Sequence, residues 1–395
     1  MNKPLQGIRV LAVEQFGAGP YGSMYLADLG AEVIKLENRR FGGDPARQTG
    51  EHVLADDDSA YFQAFNLNKK SVTLDLKHPD GQRVLHKLVD TADVVWNNLR
   101  GNQPARLGLD YASLKALKPS IICTHISAYG RDNDRADWPG YDYLMQAECG
   151  FLDLTGEPDS PPARFGLSMI DFMTGVVAAF GTLAALLARD RDGGCDVDVS
   201  LFDVALHQLT YPGTWYMNHG VHTGRIARSA HPANTPVQLY KTGDGWIFIM
   251  AMTQKFWELL IETLGQPELA DDERFATMAA RSRHRDVLTP ILDDAFSLDS
   301  TAGWIEKLQT KVPVAPVYDL PDALDNPFVR DINMIQEMPH RTAGTYRALR
   351  SPLKWNNERF AATPGNGLGA DNDDILGDEL GLAEEITDLK ESGAI

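Results

Sequence analysis

Three cysteines in 395 residues, Cys123, Cys149 and Cys195, make neither an even set nor a C-x-x-C pair. A disulfide framework and a thiolate zinc site are therefore not expected, and a reducing, cytoplasmic setting is. Positive charge is also short, with 37 Lys and Arg against 55 Asp and Glu, a formal net charge of -18. Nucleic acid and anionic membrane surfaces are poor partners for such a chain, although a local basic pocket can still take a small anion. The histidines form no H-x-x-x-H pair, which sets aside a zinc hydrolase and any metal site. Low-complexity tracts and solenoid repeats are missing too. The longest apolar run, Phe172 to Ala188, is broken by Thr174, Gly175, Gly181 and Thr182, and reads as a buried helix rather than a membrane span. The opening Met-Asn-Lys-Pro-Leu leads straight into a strand-like segment, so no leader peptide is expected.

What is present is alternation. Apolar runs at 8–13, 33–36, 71–74, 92–96 and 120–126 read as strands, separated by helix-like stretches at 79–90 and 111–117. That order predicts βαβ units and an α/β fold: an open, doubly wound (Rossmann-like) parallel sheet with helices on both faces. After about residue 205 the texture changes. Residues 211–236, rich in His, Gly and Pro, read as linker and substrate loop. A hairpin turning at Gly243-Asp-Gly245 follows, then helical periodicity to about Leu308 and a strand at 312–317. A chain of this length is expected to divide. The expected division is a large α/β domain at 1–205, a linker at 206–228 and a small α+β domain at 229–325. Residues 326–395 are then an irregular return segment and an acidic tail packing on the large domain.

Four stretches carry candidate chemistry. Gly17-Ala-Gly-Pro-Tyr-Gly22 matches G-x-G-x-x-G between a strand and a helix, with Glu37 at the end of the next strand. It predicts either a dinucleotide site or a tight turn that binds no nucleotide. Asn66-Leu-Asn-Lys-Lys-Ser71 with Lys77-His78 is a ligand edge or a solvated basic one. Asn97-Asn98-Leu99-Arg100 with Arg106 follows a parallel strand, where an arginine can fork onto phosphate or simply make an ion pair. Asp171 stands at the head of the apolar helix. It is either an N-cap, the commoner role, or a carboxylate kept reactive by desolvation and ionised by backbone donors. Gly166-Leu-Ser-Met-Ile170 lacks the second glycine of a nucleophile elbow.

Taken together, several segments resemble the class III CoA-transferase family, which includes formyl-CoA transferase and carnitine CoA-transferase. They are Pro4-Leu-Gln-Gly-Ile-Arg-Val-Leu, Leu29-Gly-Ala-Glu-Val-Ile-Lys-Leu-Glu37, Arg106-Leu-Gly108, Gly140-Tyr-Asp142, Asp171-x-x-x-Gly175 and Asp198-Val-Ser-Leu-Phe-Asp203. The resemblance implies that Asp171 is the nucleophile and forms an aspartyl-CoA thioester, with Gln15 against the reacting acyl group. It places Phe16, Ala18, Leu74, Lys77, Asn98, Leu99 and Arg106 against CoA. Arg39 or Arg40 replaces an arginine that other members carry where Asn38 stands here. It further implies an interlocked homodimer and no cofactor beyond the CoA thioester substrate. In place of the glycine-rich loop of formyl-CoA transferase this chain has Arg228-Ser-Ala-His-Pro-Ala-Asn-Thr-Pro236, which argues against formyl-CoA and oxalate.

The α-methylacyl-CoA racemases are also similar, but they use a histidine base where this chain has Tyr141. A tyrosine, with an ordinary pKa of roughly 10, is a poor base at neutral pH and suits a substrate-contacting role better. Arg228, His231, Gln238 and Lys241 fall where a second domain is expected to meet the active site. There they either bind the far carboxylate of a four- to six-carbon dicarboxylic acid, with succinyl-CoA as donor, or face solvent or a partner subunit.

Overall fold

The computed structural model describes residues 3–395, in two compact units. The first comprises residues up to Cys149, Gly166–Thr210 and Phe328–Ile395; the second comprises Gly150–Phe165 and Tyr211–Pro327. The excursion at 150–165 leaves the first unit and belongs to the second.

Six parallel strands build the first unit: β1 (Arg9–Val13), β2 (Glu32–Glu37), β3 (Lys69–Thr73), β4 (Val94–Asn97), β5 (Ile122–Ser127) and β6 (Cys195–Ser200). Their order across the sheet is β3-β2-β1-β4-β5-β6, so the chain winds outward in both directions from β1. Strands covered on both faces need apolar side chains on both, which is why Val10, Leu11 and Ala12 in β1 are all fully buried. The strand β6 carries no such run. Its Cys-Asp-Val-Asp-Val-Ser sequence sits at the sheet edge, half covered, and escapes a search for apolar runs.

The helices follow from equally local causes. The helix α1 (Ala18–Asp28) opens in the glycine-rich turn after β1. In α2 (Pro79–Thr91), proline takes a first-turn position, the His78 ring accepts from the Asp80 N–H, and Val84, Leu85, Leu88 and Val89 form the buried stripe. Three more helices complete this account of the unit: α3 (Asp142–Glu148), α4 (Met169–Asp192) and α5 (Leu201–Gln208). The helix α4, which the sequence reads as a buried helix, is long and apolar enough to cross a membrane by length and composition. Only one face of it is buried. Thr174, Gly175 and Ala178 are buried, while Phe180 is 72% and Leu187 89% exposed.

The return segment is not irregular as expected: Ile335–His340 (β10) and Gly344–Leu349 (β11) pair as an antiparallel hairpin. Residues 366–372 then close the open edge of β3. The Ser71 N–H donates to Asp371 Oδ2 at 2.7 Å and the Thr73 N–H to Asn372 Oδ1 at 2.9 Å. An edge so occupied cannot recruit another strand.

The second unit is α+β. Strands β7 (Val237–Lys241), β8 (Trp246–Met250) and β9 (Val314–Pro316) form an antiparallel sheet in the order β9-β8-β7. Its core joins Tyr240, Ile247 and Ile249 to Trp257, Leu260, Leu292, Phe296 and Trp304 of the helices Gln254–Thr263, Arg285–Phe296 and Thr301–Leu308. The stretch read as linker contains a helix, Thr210–His219. Pro212 and Gly213 weaken its helical signal, so tertiary context rather than propensity makes it.

Candidate active site

In a doubly wound sheet, strands on either side of the winding reversal send their following loops apart and leave a crevice at their carboxyl ends. Here the reversal lies between β1 and β4. A cavity of about 310 Å³ opens there, lined by Gln15 to Ala18 after β1 and Asn98 to Arg100 after β4. Ile126 to Ala128, Trp138 to Tyr141, Leu201 and Asp171 complete its wall together with Gln103.

The glycines of the 17–22 motif are used up in packing. A Cβ on Gly17 would lie 2.9 Å from Asp171 Oδ2, and one on Gly19 2.8 Å from the Asn98 side chain. At Gly22 it would meet the Gly175 carbonyl oxygen at 2.4 Å, and at Gly175 the Ala18 carbonyl oxygen at 2.5 Å. The backbones of α1 and α4 therefore touch, and this brings the first turn of α4, with Asp171, onto the loop after β1. Asn98 fixes that loop from the other side, donating to the Gln15 carbonyl at 2.7 Å and accepting the Gln15 N–H at 2.9 Å. Phe16 adopts a positive φ of 58°, held by its N–H donating to Asp44 Oδ1 at 3.1 Å. Its ring meets Tyr141 edge-on at 6.2 Å.

Beneath the loop lies a buried ionic cluster. Lys35 Nζ pairs with Asp44 at 2.8 Å, and Lys69 Nζ with Glu14 at 2.7 Å. Burial brings Lys69 down to about 8 despite Glu14. Glu37 is consumed here as well. Arg47 forks onto it at 2.8 and 2.6 Å and the Ser71 hydroxyl donates at 2.6 Å, so it is not a ribose acceptor and the dinucleotide reading fails.

Asp171 lies in the first turn of α4 but is not its cap. Ser168 holds the N-cap position without a side-chain bond, and the capping carboxylate comes from Asp142, whose Oδ2 accepts the Asp171 N–H at 2.9 Å. Asp142 is itself buried and accepts from Gln146 Nε2 at 2.5 Å. Desolvation, joined by the nearby Asp142 charge, pushes the Asp171 carboxyl up to about 7. The donors expected to hold it ionised are not found among the described residues; burial wins.

Of the residues singled out in the sequence, the structure brings Gln15, Phe16, Ala18, Asn98, Leu99, Tyr141 and Asp171 to this one cavity. Others are elsewhere. Leu74 is in the core at 2% exposure, and Lys77 and Arg106 are exposed. Arg39 lines a second cavity of about 350 Å³ with Arg40, His78 and Lys390. In the second unit Arg228 forks onto Asp293 at 2.7 and 2.6 Å. The His231 Nδ1 there accepts the Ala233 and Asn234 N–H groups at 3.0 and 3.1 Å. Both are engaged within that unit. Asp44 and the capping role of Asp142 escaped sequence reading, although Asp142 is part of the Gly140-Tyr-Asp motif. Among the described residues no group of three or more His, Cys, Asp or Glu is placed to hold a metal ion.

The sequence model of CoA-transferase family III matches residues 5–372. The chain belongs to that family. It is accordingly an acyl-CoA:carboxylate CoA-transferase. Similar proteins include the succinate–glutarate CoA-transferase of Agrobacterium fabrum, 33% identical over 89% of this chain and 89% of that protein. The succinyl-CoA–D-citramalate CoA-transferase of Chloroflexus aurantiacus is 34% identical over 97% of this chain and 96% of its own length. Among solved structures, a CAIB/BAIF family protein from Brucella suis superposes with a TM-score of 0.83 at 31% identity, covering 96% of this chain and 100% of that one.

Proposed function

We propose that this transferase moves CoA from succinyl-CoA to a short dicarboxylic acid through covalent intermediates on Asp171. The observation that carries the reading is the Asp171 carboxyl itself, desolvated to about 7 at a cavity on the sheet's winding reversal. A carboxylate stripped of water is a stronger nucleophile than a solvated one. It attacks the thioester carbonyl, expelling CoA thiolate and leaving a mixed anhydride. The thiolate attacks the aspartyl carbonyl of that anhydride, releasing the donor acid and forming an aspartyl-CoA thioester. The acceptor carboxylate displaces the thiolate again, and the thiolate then takes the acceptor's acyl carbon and frees Asp171. No electron is gained or lost over the cycle, so it calls for no redox cofactor, and none besides the CoA thioester is proposed.

In this reading Gln15, Phe16, Ala18, Asn98 and Leu99 hold the thioester end of CoA, and Tyr141 covers the acyl group. The exposed Lys77 and Arg106, with Arg39, meet the phosphates, and Leu74 backs that end from the core. The dicarboxylate class is supported by the relatives whose names specify succinate, glutarate and D-citramalate. A homodimer is supported by the apolar face of α4 left open to solvent at Met173, Val176, Val177, Phe180 and Leu187. Neither nucleic acid nor membrane is proposed as a partner.

The test is intact-protein mass after incubation with succinyl-CoA, with hydroxylamine and borohydride trapping. Wild type is expected to carry a CoA-sized adduct, or a modified Asp171, that Asp171→Asn lacks. An adduct persisting in the variant, or none in wild type with any acyl-CoA tried, removes the mechanism.

A further inference from the structure

The Asp171 cavity carries one residue of each charge: among its described lining residues Asp171 is the one carboxylate and Arg100 the one cation. Arg100 follows β4 at the carboxyl end of the sheet and has no ion pair or hydrogen bond to its guanidinium among the described residues. Its loop is held close. A Cβ on the neighbouring Gly101 would lie 2.1 Å from the Gly130 carbonyl oxygen, so backbone packs against backbone beside the arginine. The nearby Trp138 ring is already taken by Arg135, whose guanidinium sits 4.8 Å from its centroid.

Resting on the dicarboxylate reading above, we infer that Arg100 is the specificity-determining residue for the acid. It pairs with the far carboxylate while the near one reacts at Asp171. Two physical arguments favour this. A dicarboxylic acid entering a partly desolvated cavity needs its second charge neutralised, and a free guanidinium forks onto a carboxylate through two parallel hydrogen bonds. Of the four residues the sequence offered for that carboxylate, Arg228 is occupied by Asp293 in the second unit. The anionic chemistry Arg100 answers to could also come from the CoA pyrophosphate. However, Arg39, Arg40, His78 and Lys390 already surround a separate cavity, which leaves Arg100 for the acid.

The experiment compares succinyl-CoA with butyryl-CoA, which differ by the terminal carboxylate, as donors for the wild-type, Arg100→Gln and Arg100→Lys enzymes. In Arg100→Gln the ratio of kcat/KM for succinyl-CoA over butyryl-CoA is expected to fall about 10- to 100-fold, the range for losing a hydrogen-bonded charge pair. Arg100→Lys, which keeps the charge but not the fork, is expected to recover part of that ratio. If both donors weaken equally, Arg100 serves the CoA phosphates and the assignment is overturned. If neither changes, it faces solvent and the assignment is overturned as well. A wild-type enzyme that reacts with no dicarboxylic donor or acceptor removes the dicarboxylate reading itself, an outcome seen before any variant is made.

Discussion

Two aspartates meet at the head of α4. Asp142 caps the helix and lends its charge, and Asp171 receives both the orientation and the raised pKa. In the proposed mechanism only ionised Asp171 attacks, so a value of about 7 makes turnover fall as pH drops below neutrality. Asp142→Asn keeps an oxygen to accept the Asp171 N–H but removes the negative charge, and so lowers the Asp171 pKa. The acid limb of its kcat/KM profile is expected at lower pH than in wild type, with burial leaving part of the elevation in place. Asp142→Ala loses the cap too and is expected to cost about 1 kcal/mol of stability in urea denaturation. An unmoved acid limb in Asp142→Asn would assign that limb to another group.

Glycines that read as a nucleotide fingerprint turn out to be packing contacts, Gly17 and Gly22 against α4 and Gly19 against Asn98. The spacing showed that a strand meets a helix at residues 17–22, but not which backbone would press on it. That partner, Gly175, is distant in sequence and sits inside an apolar run. The Asp171-x-x-x-Gly175 spacing thus couples the cavity carboxylate to packing, since one turn of helix separates it from the crossing point. Gly175→Ala places a methyl group against the Ala18 carbonyl and is expected to cost about 3 kcal/mol. Gly224→Ala, with nothing within 4 Å, is expected to fall within about 0.5 kcal/mol. Comparable losses in the two variants would contradict this account of the 17–22 motif.

The open apolar face of α4 bears on the whole assembly. Phe180 and Leu187 lie seven residues apart on one face, and water is a poor neighbour for both. If the proposed homodimer forms through this face, Phe180→Glu with Leu187→Glu is expected to weaken self-association at least about a hundredfold, read as a shift from dimer to monomer by sedimentation. A protein that stays dimeric after both changes uses another surface. The alternation of apolar runs and glycine turns was enough to point to a parallel sheet in the first unit, because strands covered on both faces carry mostly apolar residues. Gln15 to Ala18 and Asn98 to Arg100 were legible for a related reason, since they follow strand ends, where such sheets gather their loops, whereas Asp171 and Tyr141 were legible through the family resemblance. Local pattern could not reveal the edge strand β6, whose cover is partial, or the helix 210–219, whose residues favour no structure alone. Nor could it show that Glu37 and Arg228 are neutralised by Arg47 and Asp293, or that Arg100 has no ion-pair partner among the described residues. Whether a charge is free to meet a substrate depends on which opposite charge the fold brings beside it, and only the tertiary structure decides that.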